Sequence, residues 1–250
     1  MTSIAGQRIW LVGASSGIGA ALADELHRRG ARIAISARRS EQLEEISQGR
    51  LVPVPLDVTD ASATSTAAEE VRSALGGLDV VVYCAGYWHS FTADAWQAEE
   101  FTRHVEVNLL GLGHVIAATV PQMVGAGSGH LVGIASVAGY RGLSGSEAYG
   151  ATKAAQINLL ESMRASLSTA GVGVTTVCPG FVRTDLTADN DFPMPFIIEP
   201  DEAATAIADG LEAERIEIVF PLRMAVTMKL ASLLPVRVWT AITTRMARSS

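Results

Sequence analysis

One repeated alternation constrains this chain more than any other feature. Seven apolar runs of strand length, 8–12, 32–37, 51–56, 78–83, 130–135, 172–178 and 216–220, are rich in β-branched residues and bounded by turn residues. Between them lie stretches of helical length at 17–29, 62–75, 98–124, 149–169 and 201–213, dominated by Ala, Leu and Glu. Strands that alternate with helices pair in parallel, because only a long crossover returns the chain to the same sheet edge, and such crossovers are right-handed. The expectation is an α/β, doubly wound fold: a parallel seven-stranded sheet with helices on both faces. A chain of 250 residues is long enough for one such domain, expected over 1–220. Ligands of doubly wound sheets bind beyond the carboxyl ends of the strands, so function belongs in the segments that follow them.

The first such segment reads VGASSGIGA, with Gly13, Gly17 and Gly19 on the turn into the first helix. Glycine reaches positive φ and permits close approach, and a helix N-terminus offers amides and positive dipole to a pyrophosphate. This is the phosphate-binding turn of a Rossmann fold, with Ser15, Ser16 and Ile18 as its remaining contacts. After the second strand the chain reads ISARR, with no carboxylate to bind the adenosine ribose hydroxyls of NAD and refuse a 2′-phosphate. Arg38 and Arg39 instead suit the 2′-phosphate, with Ser36 or Ser15 adding a hydroxyl bond, so NADP(H) is expected rather than NAD(H). Asp57 and Val58 close the third strand, where the acid can accept from the adenine amino group and the valine can pack on the ring.

On a helix, positions i and i+4 share a face, so Tyr149 and Lys153 in SEAYGATKAA project together, with only small residues around them. A free phenol has a pKa of about 10, and a nearby ammonium together with an oxidised nicotinamide is expected to lower it by roughly three units, a differential interaction of about 4 kcal/mol. Gly13, Gly17, Gly19, Asp57–Val58, Asn108, Ser136, Tyr149, Lys153 and Pro179–Gly180 stand in the order and approximate spacing of the short-chain dehydrogenase/reductase family, which the chain resembles over residues 7–187. Two positions depart from that pattern: Val12 stands where the family usually has threonine, and Tyr83-Cys84-Ala85-Gly86 stands where it usually has Asn-Asn-Ala-Gly.

The resemblance implies a hydride transfer between nicotinamide and a carbonyl or secondary alcohol, with Tyr149 passing the proton, Ser136 binding the substrate oxygen and Lys153 holding the nicotinamide ribose. It implies that Asn108 supports a water chain to Lys153, that Ala85 and Gly86 approach the cofactor ribose, and that Pro179, Gly180, Val182 and Thr184 border the nicotinamide. The alternative is a non-catalytic regulatory or redox-sensing protein on the same fold, supported only by Cys84. A nucleotide-sugar enzyme would need a larger substrate domain than the chain after Gly180 supplies.

Charge and composition narrow the partners. The net charge is −7, which disfavours nucleic acid. Residues 221–250 contain Arg223, Lys229, Arg237, Arg245 and Arg248 and no acid, so this segment is +5; removing those five from 19 basic residues leaves 14 against 26 acidic ones, or −12 for the rest. The tail is too interrupted to span a bilayer and is expected to pack as helices on a neighbouring subunit or lid in preference to a membrane surface. A mean hydropathy of +0.27 fits either buried oligomer surface, as in a homodimer or homotetramer, or lipid contact. Cys84 and Cys178 sit in apolar runs as reduced thiols of a cytoplasmic protein, and Ile9–Val12 is too short for a signal-peptide core. His89, His104 and His114 lack ligand spacing, so no metal is expected. The loop 185–200, carrying Phe192, Met194, Phe196 and Ile197, is a candidate lid over a small to medium apolar substrate, with Trp88 and His89 on the same rim.

Overall fold

The computed structural model of the chain describes residues 3–188, 190 and 192–247; the tail's Arg248 lies outside them. Seven strands form one sheet: β1 (Arg8–Val12), β2 (Arg32–Ser36), β3 (Val52–Pro53), β4 (Val80–Tyr83), β5 (Gly129–Ile134), β6 (Val172–Pro179) and β7 (Glu217–Phe220). Their order is β3-β2-β1-β4-β5-β6-β7 and every pair is parallel. The winding reverses between β1 and β4, so Val12 and Tyr83 end side by side at the mouth of a crevice.

Ten α-helices connect the strands among the described residues: α1 (Gly17–Arg28), α2 (Ser40–Ser47), α3 (Ala61–Leu75), α4 (Ala98–His104), α5 (Gly111–Ala126), α6 (Glu147–Leu167), α7 (Asp185–Ala188), α8 (Pro200–Glu212), α9 (Leu222–Leu233) and α10 (Val236–Ala247). The period-2 alternation of β1 splits the core. Ile9 and Leu11 face α1, α2 and α8 with Leu22, Leu43 and Ile207, whereas Trp10 and Val12 face α3, α5 and α6 with Val71, Val115 and Leu160. Both faces of the sheet are thus covered, as parallel strands require.

Two expected elements are corrected. The third strand shrinks from 51–56 to a two-residue pairing, because Pro53 and Pro55 have no N–H and only Val54 and Leu56 still donate to Ile35 and Ala37. The expected helix 98–124 is α4 and α5 joined by a π-helical turn at Val105–Leu110. That composite helix is long and apolar enough to cross a membrane, yet Leu112, Val115, Val120 and Met123 belong to the protein core. Its wide turn carries Asn108, which is buried. An extra residue in a helical turn re-aims what it carries, and such turns recur at functional sites.

Candidate active site

A cleft of about 670 Å³ opens beyond the carboxyl ends of β1, β2, β4, β5 and β6. At the β1 end the chain turns sharply because Gly13 N–H and Ala14 N–H both donate to the Ser36 carbonyl, while Cys84 N–H donates to Val12. Gly13 has φ +95°, and a Cβ there would stand 2.3 Å from the Ala85 nitrogen. A Cβ on Gly19 would stand 2.0 Å from the Gly13 carbonyl oxygen, and one on Gly17 2.8 Å from Thr184. The glycines therefore let the chain pack on itself, which brings β1, β4 and α1 close enough to shape the crevice. Ser16 caps α1 with extended backbone and no side-chain bond, and the first turn holds no acid. Among the described residues no side chain caps the first-turn amides of Gly17, Ile18 and Gly19, which suits an acceptor such as a pyrophosphate.

At the end of β2, Ala37, Arg38 and Arg39 line the cleft. Arg39 donates to the Ser15 hydroxyl at 3.2 Å, and exposed Arg38 has no partner among the described residues. Ser36 is a correction: its side chain is on the opposite side of the strand, fully buried, accepting from the Trp10 indole at 2.8 Å. Alternation along β2 forbids Ser36 and Ala37 from facing the same way. Asp57 and Val58 reach the cleft, the carboxylate holding Thr59 through its amide and hydroxyl.

Ser136 follows β5, and Tyr149 and Lys153 stand on α6; all three line the cleft with Ala85, Gly86, Pro179, Gly180, Val182 and Thr184. The Ser136 hydroxyl donates to the Pro179 carbonyl at 3.4 Å and accepts the Ala138 N–H at 3.1 Å, near enough to Tyr149 to favour its phenolate. The Lys153 nitrogen lies 5.5 Å from the Tyr149 ring centre. Burial decides both pKa values: the phenol is pushed up to about 12, against a smaller lowering by Ser136, and the ammonium is pushed down to about 8. In the chain by itself the desolvation of the phenolate therefore outweighs whatever favours it.

Asn108 does not line the cleft. Its side chain accepts from Tyr87 N–H at 2.7 Å and donates to the Tyr87 carbonyl and to Thr152 at 3.0 Å each. Its link to Lys153 runs through a residue that sequence reasoning missed. Lys153 donates to the Ile134 carbonyl at 2.8 Å and to Gln156 Oε1 at 3.0 Å, and Gln156 Nε2 donates to the Asn108 carbonyl at 2.5 Å. An ammonium has three N–H groups, so one remains for the cleft. The only signal for Gln156 was its helical spacing, one turn beyond Lys153.

The far end of the cleft is aromatic. Trp88 meets the Tyr149 ring edge-on at 5.2 Å and donates from its indole to Asn190 at 2.9 Å. Buried His104 holds the same loop, donating through Nδ1 to the Glu100 carbonyl and accepting the His89 N–H on Nε2. The loop 185–200 contains α7 and is pinned at its base, where Arg183 N–H donates to Ile198 and Ile198 N–H to Phe181. Leu186, Thr187 and Asn190 reach the cleft from it, whereas Phe192, Met194, Phe196 and Ile197 do not line it; Phe192 packs on Phe181, and Phe196 lies under Arg223.

The sequence profile of the family described as short chain dehydrogenase matches residues 7–192. The chain belongs to the short-chain dehydrogenase family. An uncharacterized oxidoreductase of Myxococcus xanthus is 41% identical over 231 residues, spanning 90% of this chain and 91% of that one. A short chain dehydrogenase from Burkholderia cenocepacia, solved with NADP, superposes with a TM-score of 0.84 at 25% identity, covering 97% of this chain and 98% of that one. A family structure from Burkholderia phymatum, solved with NAD, superposes equally well with a TM-score of 0.84 over 92% and 94% of the two chains; at 21% identity it shows the shared fold. This short-chain dehydrogenase is accordingly an oxidoreductase on a Rossmann fold that binds a nicotinamide cofactor.

Proposed function

We propose that the protein is an NADP(H)-dependent oxidoreductase that interconverts a carbonyl and a secondary alcohol on a small to medium apolar substrate. The observation that carries this reading is the convergence of the Ser136 hydroxyl, the Tyr149 phenol and the buried Lys153 ammonium in one cleft. The residues fit the cofactor: uncapped amides at α1 suit its pyrophosphate, Asp57 and Val58 its adenine, and Arg38 with Arg39 and Ser15 a 2′-phosphate. Bound there, the nicotinamide supplies or receives the hydride.

The chain's own residues handle the proton. In the reductive direction Tyr149 Oη gives its proton to the substrate oxygen while Ser136 Oγ donates a hydrogen bond to the same atom, stabilising the charge that develops on it. In the oxidative direction Tyr149 must first lose that proton. Lys153 favours the phenolate while it is charged, below about pH 8, and added positive charge in the cleft lowers the phenol further. Trp88, Leu186 and Asn190 would shield the reacting atoms from water and prefer neutral, apolar substrates. A regulatory or redox-sensing role is weakened at Cys84, a half-buried residue of the cleft whose thiol is pushed by desolvation up to about 11, which disfavours the thiolate.

A panel of ketones and aldehydes with NADPH consumption as readout tests the reading. Tyr149→Phe is expected to lower turnover about 10²–10⁴-fold with cofactor affinity nearly unchanged. Full turnover in that variant would remove Tyr149 from the chemistry, and absence of turnover across the panel, with NADPH still bound, would favour the regulatory role.

A further inference from the structure

The C-terminal helices carry apolar residues on the side that the body does not cover. Among the described residues, seven of the thirteen exposed large hydrophobics lie on α9 and α10. On α9 the buried residues are Met224, Ala225, Met228 and Ala231, the two methionines packed with Val137 and Cys178. Leu222, Val226, Leu230 and Leu233 are exposed, three of them by more than 60%. At about 100° per residue these four fall within one narrow stripe diametrically opposite the docked face. Exposed Arg223 projects on one flank, and Lys229 on the other, where it is ion-paired with Glu217 of β7. Val236, Val238 and Ile242 are exposed on α10, which also carries Arg237 and Arg245.

We infer that this face docks on an anionic lipid bilayer. The segment carries five cations and no acid, while the rest of the chain is strongly acidic. A closed pair of copies meeting through this face would set those cations against each other. Its docking on the acidic body of a second copy would be head-to-tail, an arrangement that propagates into rings or filaments. An anionic membrane matches both features at once, taking the aliphatic stripe to the acyl boundary and the exposed Arg223 and Arg237 to the headgroups. Screening over about 8 Å leaves the distant acidic body little felt and orients the protein with its tail toward the lipid.

The same helices are fastened to the catalytic rim. Trp239 donates to the Gly142 carbonyl at 2.8 Å and Arg141 to the Leu234 carbonyl at 3.0 Å, in the loop between Ser136 and Tyr149. The Arg223 guanidinium stands over Phe196 of the 185–200 loop at 5.8 Å. Lipid docking would therefore hold the substrate end of the cleft near the bilayer, suiting substrates that partition into it.

Flotation of the full chain with vesicles tests this without any turnover assay, so its outcome is separate from that of the proposed activity. Binding to equimolar phosphatidylcholine and phosphatidylglycerol is expected to exceed binding to phosphatidylcholine alone by at least about tenfold and to fall at high salt. Arg223→Ser and Arg237→Ser should each weaken it about fivefold. Leu230→Glu should abolish it with the circular dichroism spectrum unchanged. No flotation, or equal flotation with both vesicles, would overturn the inference. So would a larger species in light scattering that Leu230→Glu dissociates, which would assign the face to a second copy.

Discussion

The part of the cleft built from Gly13 to Arg39 and the part built from Trp88 to Asn190 are held by different kinds of contact. The first is a backbone construction: amides of Gly13 and Ala14 on the Ser36 carbonyl, and a glycine pressed against Ala85. The second is assembled from side chains distant in sequence, with the Trp88 indole on Asn190 and the Trp88 ring on Tyr149. A backbone construction depends on a few glycines and survives change everywhere else. A side-chain construction changes with every substitution, which is how one scaffold can keep its cofactor and vary its substrate.

The comparison can be broken at either end. Gly19→Ala should do the most damage, because its Cβ would stand 2.0 Å from a backbone oxygen that cannot move independently. The expected loss is about 3 kcal/mol of stability together with cofactor affinity, read by chemical denaturation and NADPH titration. Arg38→Asp should leave stability intact and weaken NADPH by about 2 kcal/mol, roughly thirtyfold, with little change for NADH. Equal NADPH and NADH affinities in the parent protein would overturn the phosphate assignment.

Lys153 lies between the two parts, and its burial has a measurable sign. Its ammonium is held at about 8 against an ordinary 10.5, so from pH 8 to 10.5 the unfolded chain carries the extra proton and stability rises with pH. Cys84 and Cys178, raised to about 11 from 9, work in the opposite direction above pH 9, where the folded chain holds the extra protons. The lysine's effect is therefore clearest between pH 8 and 9, a gain of about 1 kcal/mol that Lys153→Met should lack in denaturation curves. The smallest effect belongs to the aromatic end. Asn190→Leu removes the acceptor of the Trp88 indole, and KM should rise about two- to fivefold at constant NADPH affinity. A matching loss of NADPH affinity would mean that the two parts are not independent.

Legibility in the sequence followed the same division. The strand alternation, the glycine turn and the Tyr149–Lys153 spacing are local periodicities, and the structure brings their residues to one cleft. Ser36 was misread because adjacent residues of a strand face opposite ways, and the register against Trp10 fixes which one turns inward. In the loop 185–200 Phe192 packs on Phe181 and Phe196 lies under Arg223 while Leu186 and Asn190 reach the cleft, a partition that composition does not carry. Gln156 offers only its helical spacing from Lys153, and His104 offers no pattern, since each also acts on a partner from another element.

What the sequence by itself determined is the doubly wound sheet and the residues that follow its strands, because hydrophobic period and glycine conformation are properties of neighbouring residues. Only the tertiary structure decided the state of the proton-handling pair. The pKa of Tyr149 and Lys153 depends on how much water the packed cleft excludes, and that is set by elements from Ile134 to Pro179 meeting at one place. It likewise decided that the tail turns one apolar stripe inward and leaves another outward, since a helix that is apolar on two opposite faces becomes amphipathic only once one face is docked.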